Sequence, residues 1–331
     1  MISRRCFLVN SAAAAGVSFS SVGFSWRTHA QTIKKNTRII VGFAPGGSTD
    51  TVARLLVGQI KDYAPSIIVE SRPGAAGQLA LTALKNSEAD GSVIALTPGD
   101  QVTLFPHVYA KLNYNPQHDF IPVTTVCTVQ FLLTIGPMVP TRVTTFANFI
   151  EWCRANPSLA TYGTPGAGSR PHFLGTALAA AAGFEFIHVP YKGGGPAMQD
   201  LVAGQIAANF GVISNALAQI QSGNIRALVT TASKRSALLS DVPTAVEAGY
   251  PAIEGVEWFG ILVPANTPSQ IVHDLNRTIR QALNSEEMKA GLETQILEVG
   301  GSTPDALAQM IKTDSERWGR IVRTSGFTPM E

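Results

Sequence analysis

Short apolar runs rich in β-branched residues alternate with stretches of helical periodicity from about residue 31 onward. Runs of this length and composition are typical of buried strands. The predicted strands cover residues 38–43, 67–70, 93–96, 131–135, 160–162, 186–189, 207–210, 226–230 and 258–263. Because strands that alternate with helices pair in parallel through crossover connections, the pattern predicts an α/β fold.

Helical stripes lie between several of these strands. Ser48 or Thr49 can cap the first predicted helix, and Asp50 favours its first turn. Its apolar stripe consists of Val52, Leu55, Leu56, Ile60 and Tyr63. Thr145 can cap a second helix, whose apolar positions are Phe146, Phe149, Ile150 and Cys153. Further helices are predicted near residues 173–182 and after Pro268 and Pro304, since proline suits the first helical position.

The order of these elements predicts two α/β lobes. One α/β unit is complete by about residue 130, a second follows it, and two helices close the chain after Trp258. The first lobe is therefore expected to contain both chain ends, residues 31–130 and 256–331. The second lobe is expected to span residues 131–255.

Two glycine-rich loops, each between a predicted strand and a helix, carry the candidate site. The first glycine loop is residues 44–50 (APGGSTD), and the second glycine loop is residues 163–172 (GTPGAGSRPH). Adjacent glycines let backbone N–H groups point at one place, and a helix N-terminus adds partial positive charge. In open α/β sheets such loops lie where ligands bind. The loops predict an anion site, with phosphate and carboxylate both open, although each alone also fits a tight strand-to-helix turn.

Motifs for nucleotides, metals and nucleophilic catalysis fit poorly. The first loop lacks the Gly-Lys-Ser/Thr ending of a phosphate-binding loop, and the second lacks the GxGxxG spacing. Ser169 and His172 lie three residues apart, but no carboxylate is placed to orient them, so a capping serine beside a packing histidine is the favoured interpretation. His188 fits a structural histidine on a strand. The chain has no CxxC motif and no cluster of metal ligands.

Composition and charge narrow the partners. Hydrophobic residues make up 45% of the chain and charged residues 15%, which supports a buried core. Residues 31–331 contain 22 basic and 23 acidic side chains, so nothing favours nucleic acid. Cys127 and Cys153 are expected as two buried free thiols, with a disulfide as the alternative.

Residues 1–30 have the pattern of an export signal. Arg4 and Arg5 precede a mildly apolar run, and Ala30 offers a cleavage position before Gln31. The arginine pair resembles a twin-arginine signal, and an ordinary secretory signal is the alternative. The pattern predicts that the protein is exported to the periplasm and cleaved near Ala30.

Taken together, these segments resemble the substrate-binding receptors of tripartite tricarboxylate transporters, also called the Bug receptor family. They occur in family order over nearly the whole chain after residue 31. The matching segments are residues 41–50 (VGFAPGGSTD), 72–77 (RPGAAG), 90–91 (DG), 162–169 (YGTPGAGS) with His172, 188–194 (HVPYKGG), 226–228 (RAL), 241–244 (DVPT), 247–249 (EAG), 264–265 (PA) and 267–268 (TP).

The resemblance implies a two-lobed periplasmic-binding-protein fold of type II, with a mostly parallel sheet in each lobe and the ligand cleft between the lobes. It implies a receptor, not an enzyme, that acts as a monomer, holds a small carboxylate through backbone N–H groups, needs no cofactor and delivers its ligand to a two-subunit membrane permease. The expected ligand-binding residues are Phe43, Ala44, Pro45, Gly46, Gly47, Ser48, Asp50, Gly163, Thr164, Gly168, Ser169, Arg170, His172, Tyr191 and Lys192.

One residue departs from the family pattern. Arg170 stands where the family usually has a small or neutral residue, and its side chain either points to solvent, the favoured interpretation, or pairs with a second carboxylate. Two other functions stay open at this point: a signalling receptor that contacts a membrane sensor, and a periplasmic hydrolase that uses Ser169 and His172.

Overall fold

The computed structural model describes residues 33–43, 45–191 and 194–331, and the predicted export signal therefore lies outside the described residues. Residues 31–331 form one compact unit. The strands are β1 (Thr37–Val41), β2 (Ile67–Ser71), β3 (Val93–Pro98), β4 (Phe120–Val129), β5 (Phe131–Ile135), β6 (Thr161–Thr164), β7 (Ile187–Pro190), β8 (Ala208–Val212), β9 (Arg226–Thr230), β10 (Glu257–Pro264) and β11 (Glu298–Val299). The α-helices are α1 (Ser48–Gln59), α2 (Gln78–Lys85), α3 (Asp100–Thr103), α4 (Phe105–Val108), α5 (Phe146–Ala155), α6 (Arg170–Ala182), α7 (Gly194–Val202), α8 (Ile213–Gln221), α9 (Ser269–Leu283), α10 (Glu286–Thr294) and α11 (Pro304–Thr324).

The strands form two sheets, and each runs mostly in one direction. The first sheet has six strands in the order β11-β4-β10-β3-β1-β2, with β10 and β11 reversed. The second sheet has five strands in the order β7-β6-β8-β5-β9, with β5 reversed. The chain enters the second sheet through β5 and returns to the first sheet through β10. Both of these strands run antiparallel to their neighbours. The predicted α/β fold with parallel strands is confirmed.

All nine predicted strands and all five predicted helices are present, with ends shifted by a few residues. Thr145 caps α5 as predicted, because its Oγ1 accepts the Asn148 N–H at 3.2 Å. The ten-residue strand β4 was not predicted, since Pro122 and several threonines interrupt its apolar pattern. The helices α2, α3, α4, α7, α8 and α10 and the two-residue strand β11 were also missed.

Apolar clusters pack on the two faces of each sheet. Cys127 and Cys153 are buried in different clusters, one for each sheet, and are unpaired. Burial raises the pKa of both thiols to about 12. The prediction of two buried free thiols is confirmed.

Helix α11 links the two halves of the fold. The first sheet draws its strands from residues 37–129 and 257–299, and the second from residues 131–230. However, Trp318 and Val322 of α11 belong to the core of the second sheet. The strands change sheet near residues 130 and 256, and the division of the chain into two lobes stays a prediction.

Over the described part of the chain, no helix combines the length and apolar character needed to cross a membrane.

Candidate functional site

The first glycine loop leads from β1 directly into α1. Gly46 has a φ of +84°, a left-handed conformation that glycine adopts without a steric penalty. Gly47 is extended and is the N-cap of α1. Asp50 Oδ2 accepts the N–H of Gly46 at 2.9 Å and the Nε–H of Arg54 at 2.8 Å. The bond from Arg54 is the main reason that the pKa of Asp50 is lowered. Asp50 therefore supports the loop from the first turn of the helix.

The second glycine loop repeats this arrangement. Gly168 has a φ of +71°, and the extended residue Ser169 is the N-cap of α6. The N–H of Gly168 donates to His172 Nδ1 at 3.1 Å. In both loops a left-handed glycine precedes the N-cap, and a side chain four residues later accepts its N–H. His172 thus has the supporting role here that Asp50 has in the first loop.

These bonds identify which backbone donors remain for a ligand. The prediction that Ser48 or Thr49 caps α1 is wrong, because Gly47 is the N-cap and no side chain caps the helix among the described residues. The Ser169 side chain does not cap α6 either, since its hydroxyl donates to Gly166 O at 2.6 Å. In α1 the first-turn N–H groups, including that of Ser48, are therefore without a side-chain acceptor in the described ranges. In α6 the same holds for the Arg170 N–H alone, because Pro171 has no N–H and the His172 N–H donates to Ser169 O at 3.0 Å.

The Arg170 side chain reaches the edge of the first sheet that carries the first glycine loop. Strands β1 and β3 are parallel, so their carboxyl ends meet there; the first loop follows β1, and Asp100 follows β3. Arg170, the first residue of α6, donates from Nε to Asp100 Oδ1 at 2.8 Å. This contact places the N-terminus of α6 at the edge that carries the first loop.

The expectation that Arg170 points to solvent is wrong. Arg170 is 1% exposed, and its Nη1 donates to Val256 O at 2.9 Å. The guanidinium also stacks on the Trp318 ring, with Cζ 4.8 Å from the ring centre. The guanidinium already pairs with Asp100, so it is not available to bind a second carboxylate of the ligand. We still predict that Arg170 contacts the ligand, but only through its backbone N–H.

Among the described residues, the Ser169 hydroxyl and the His172 ring do not pair with each other; only the His172 backbone N–H donates to Ser169 O, at 3.0 Å. Instead the His172 ring stacks on His188 at 3.8 Å between ring centres. His188 Nε2 lies 2.7 Å from the Thr164 hydroxyl, so the stacked pair supports both ends of the second loop. Burial lowers the pKa of both histidines, to about 3 for His188, where the charge of His172 adds to the effect.

This histidine pair predicts a loss of stability on mild acidification. The pair is neutral in the fold, whereas unfolded histidines bind protons below a pKa of about 6.5. The unfolded state therefore binds more protons as the pH falls from about 6.5 toward 3, and the free energy of unfolding decreases. We expect His188→Gln to flatten this dependence between about pH 6.5 and 5, measured by urea unfolding. His118→Gln, at an exposed position, is the control; an unchanged slope in His188→Gln would contradict the assignment.

The other expected site residues fall around the loops. Phe43 is half-buried beside the first loop, and Gly163 and Thr164 are buried at the start of the second. Tyr191 contacts Gly163, and its hydroxyl donates to Asp200 Oδ2 at 2.8 Å. Pro45 is exposed next to Gly46. The residues Ala44 and Lys192 lie outside the described residues, so their places in the site stay predictions.

One neighbouring turn was not assigned to the site from the sequence. Ala75 and Ala76 both have left-handed φ values, +46° and +53°, in an exposed turn. Gly77, which ends the turn, packs so closely on Gly42 that a Cβ on Gly42 would lie 2.6 Å from Gly77 Cα. The turn therefore supports the base of the first glycine loop. In the sequence, Gly74 and Gly77 were the residues that could have indicated this turn.

Comparisons with known proteins agree with this architecture. A family model described as "Tripartite tricarboxylate transporter family receptor" matches residues 52–327. Protein BugT of Bordetella pertussis is 31% identical over 321 residues, which cover 95% of this chain and 97% of BugT.

Solved structures show the same similarity. Rpa4515 of R. palustris, solved with adipate, is 30% identical with a TM-score of 0.80, over 92% of this chain and 100% of that one. MatC (Rpa3494) from Rhodopseudomonas palustris, solved with bound malate, is 30% identical with a TM-score of 0.74, over 87% and 98%. The periplasmic binding protein BugD is 28% identical with a TM-score of 0.76, over 89% and 99%. The two-sheet α/β architecture is thus that of periplasmic binding proteins, and the chain belongs to the tripartite tricarboxylate transporter receptor family of solute-binding proteins.

Proposed function

We propose that this protein is a periplasmic receptor that binds a small carboxylate between its two glycine loops and presents it to a membrane transporter. The observation that carries the proposal is the pair of uncapped helix N-termini, α1 and α6, at one edge of the first sheet. Helix N-termini with open N–H groups attract anions through hydrogen bonds and the helix dipole. The carboxylates bound by Rpa4515 and MatC support the choice of a carboxylate over a phosphate.

The loop geometry assigns the donors more narrowly than the sequence does. Gly46 and Gly168 donate their N–H groups inside the loops, so neither N–H is available to a ligand. The ligand carboxylate is instead expected to accept from the Ser48 N–H and hydroxyl, and from the Ser169 and Arg170 N–H groups. These donors are neutral, so affinity for a carboxylate requires no basic side chain in the cleft.

Ligand binding is expected to shift the protein toward a closed form. The donors of α1 follow β1 of the first sheet, and the donors of α6 follow β6 of the second sheet. A carboxylate bound to both sets of donors therefore favours the arrangement in which the two helix N-termini are close together. The transporter would recognise this form. We propose that the receptor acts as a monomer, that its permease has two other subunits, and that it performs no reaction on its ligand.

A thermal-shift screen of mono-, di-, tri- and aromatic carboxylates tests the proposed function. The protein should first be unfolded and refolded, because ligand carried over from the host would mask a shift. A ligand at a hundred times its dissociation constant stabilises the fold by roughly 2.7 kcal/mol, so a true ligand gives a clear rise in the unfolding midpoint. If phosphate raises the midpoint and no carboxylate does, the ligand class is wrong.

A further inference from the structure

Arg170 forms a buried bridge between the two halves of the fold. Its backbone begins α6 beside the second glycine loop, whereas its side chain reaches three parts of the chain outside the second sheet. These are Asp100 after β3, Val256 before β10 and Trp318 in α11. Asp100 and Trp318 are buried as well, at 7% and 1% exposure.

At the centre of this bridge, Arg170 and Asp100 form a buried ion pair. Arg170 Nη2 and Asp100 Oδ1 lie 2.6 Å apart. Glu257 is directly adjacent, since its Oε1 accepts the N–H of Asp100 at 3.3 Å. Burial and the charge of Asp100 raise the pKa of Glu257 well above its ordinary value. Asp100 and Arg170 therefore form the ion pair, and Asp314 accepts the Trp258 indole N–H nearby.

We infer that Arg170 is a positioning residue, which fixes the ligand-binding end of α6 against the first sheet and thereby sets the resting angle between the lobes. The expected effect of Arg170 on ligand binding rests on the proposed function, whereas its expected effect on the angle between the lobes does not. The Ser169 and Arg170 N–H groups sit at the end of α6 that Arg170 anchors, so its contacts set how far these donors lie from those of α1 before a ligand binds. A buried ion pair of this kind defines one geometry, because either charge alone is strongly unfavourable.

The first measurement needs no ligand. Spin labels at Leu79→Cys and Leu238→Cys, both at exposed positions, report the distance between the lobes by pulsed electron paramagnetic resonance. The labels are placed in a Cys6→Ser background, so the remaining native thiols are those of Cys127 and Cys153, which are both buried. We expect one narrow distance distribution for the parent protein and a displaced or broadened one for Arg170→Met and for Asp100→Asn. Arg170→Lys, which keeps the charge, should restore part of the parent distribution.

Arg226→Met is the matched control. Within the described part of the chain, Arg226 donates only to backbone carbonyls of residues 136–143, all on the side of the second sheet. It should lower the unfolding midpoint without moving the distance distribution. The inference fails if Arg170→Met leaves the parent distribution unchanged, or if Arg226→Met displaces it equally.

The second measurement is the affinity for adipate and malate, taken as probes, after refolding. For a probe that binds the parent protein, we expect Arg170→Met to weaken binding by roughly tenfold, a usual size for coupling between a structural state and a ligand. Arg226→Met should weaken it far less. Binding that survives Arg170→Met overturns the link to the ligand, whereas a parent protein that binds no carboxylate contradicts the proposed function and leaves the distance result to decide the inference.

Discussion

Ser48→Pro is expected to reduce carboxylate affinity by about 10- to 100-fold while the ligand-free protein keeps its stability. The substitution removes one backbone N–H, and a hydrogen bond to a charged group contributes about 1.5–3 kcal/mol. Ser48 is the first residue of α1, where proline is well tolerated. Gly47 before it is extended, at φ −75° and ψ 167°, as a residue that precedes proline must be.

Ser48→Ala is the matched control for this experiment. Alanine keeps the N–H and removes only the hydroxyl of an exposed side chain, so the loss of affinity should be several-fold smaller. Titration calorimetry gives the affinities, and urea unfolding of the ligand-free proteins verifies the fold. Equal losses for the two variants would assign the contact to the hydroxyl and contradict binding through the backbone.

Trp318→Ala is expected to lower the free energy of unfolding by about 3–5 kcal/mol, the usual cost of removing a large buried aromatic side chain. Trp318 is 1% exposed and packs with Phe173 of α6, although its own helix follows the strands of the first sheet. Its indole N–H has no hydrogen-bond partner among the described residues, so the loss is one of packing and of the Arg170 contact.

The control for this prediction is Met310→Ala in the same helix. Met310 is 38% exposed, so its truncation should change stability by less than about 0.5 kcal/mol. Guanidinium unfolding measures both variants. A single transition that shifts as a whole in Trp318→Ala would show that α11 joins the two halves into one cooperative unit. A change as small as that of Met310→Ala would mean that α11 is not part of the second core.

The strand and helix pattern was predictable because each buried strand is a short apolar run. The same local reading failed at β4, where Pro122 and the threonines conceal a strand that the neighbouring strands stabilise. The contact of α11 with the core of the second sheet was not predicted, for a related reason. The sequence of α11 shows which positions are apolar, but not which sheet they contact.

The candidate site was predictable as two loops and not as a set of contacts. Adjacent glycines before a helix indicate an anion site, so the two loops were predicted from the residues, whereas Ser48 and Ser169 were expected as ligand contacts through the family resemblance. The supporting role of His172 depends on its stacking with His188, and that of Arg170 depends on Asp100, which lies 70 residues away in the chain. Local sequence carries no signal for such pairs.

Binding of a carboxylate by backbone N–H groups at two helix N-termini can be measured by calorimetric titration. The refolded protein is titrated with the acid that gives the largest thermal shift and with its uncharged amide. We expect the acid to bind, the amide to bind at least about tenfold more weakly, and Ser48→Pro to narrow this difference. An amide that binds as tightly as the acid would show that the helix N-termini do not hold a carboxylate.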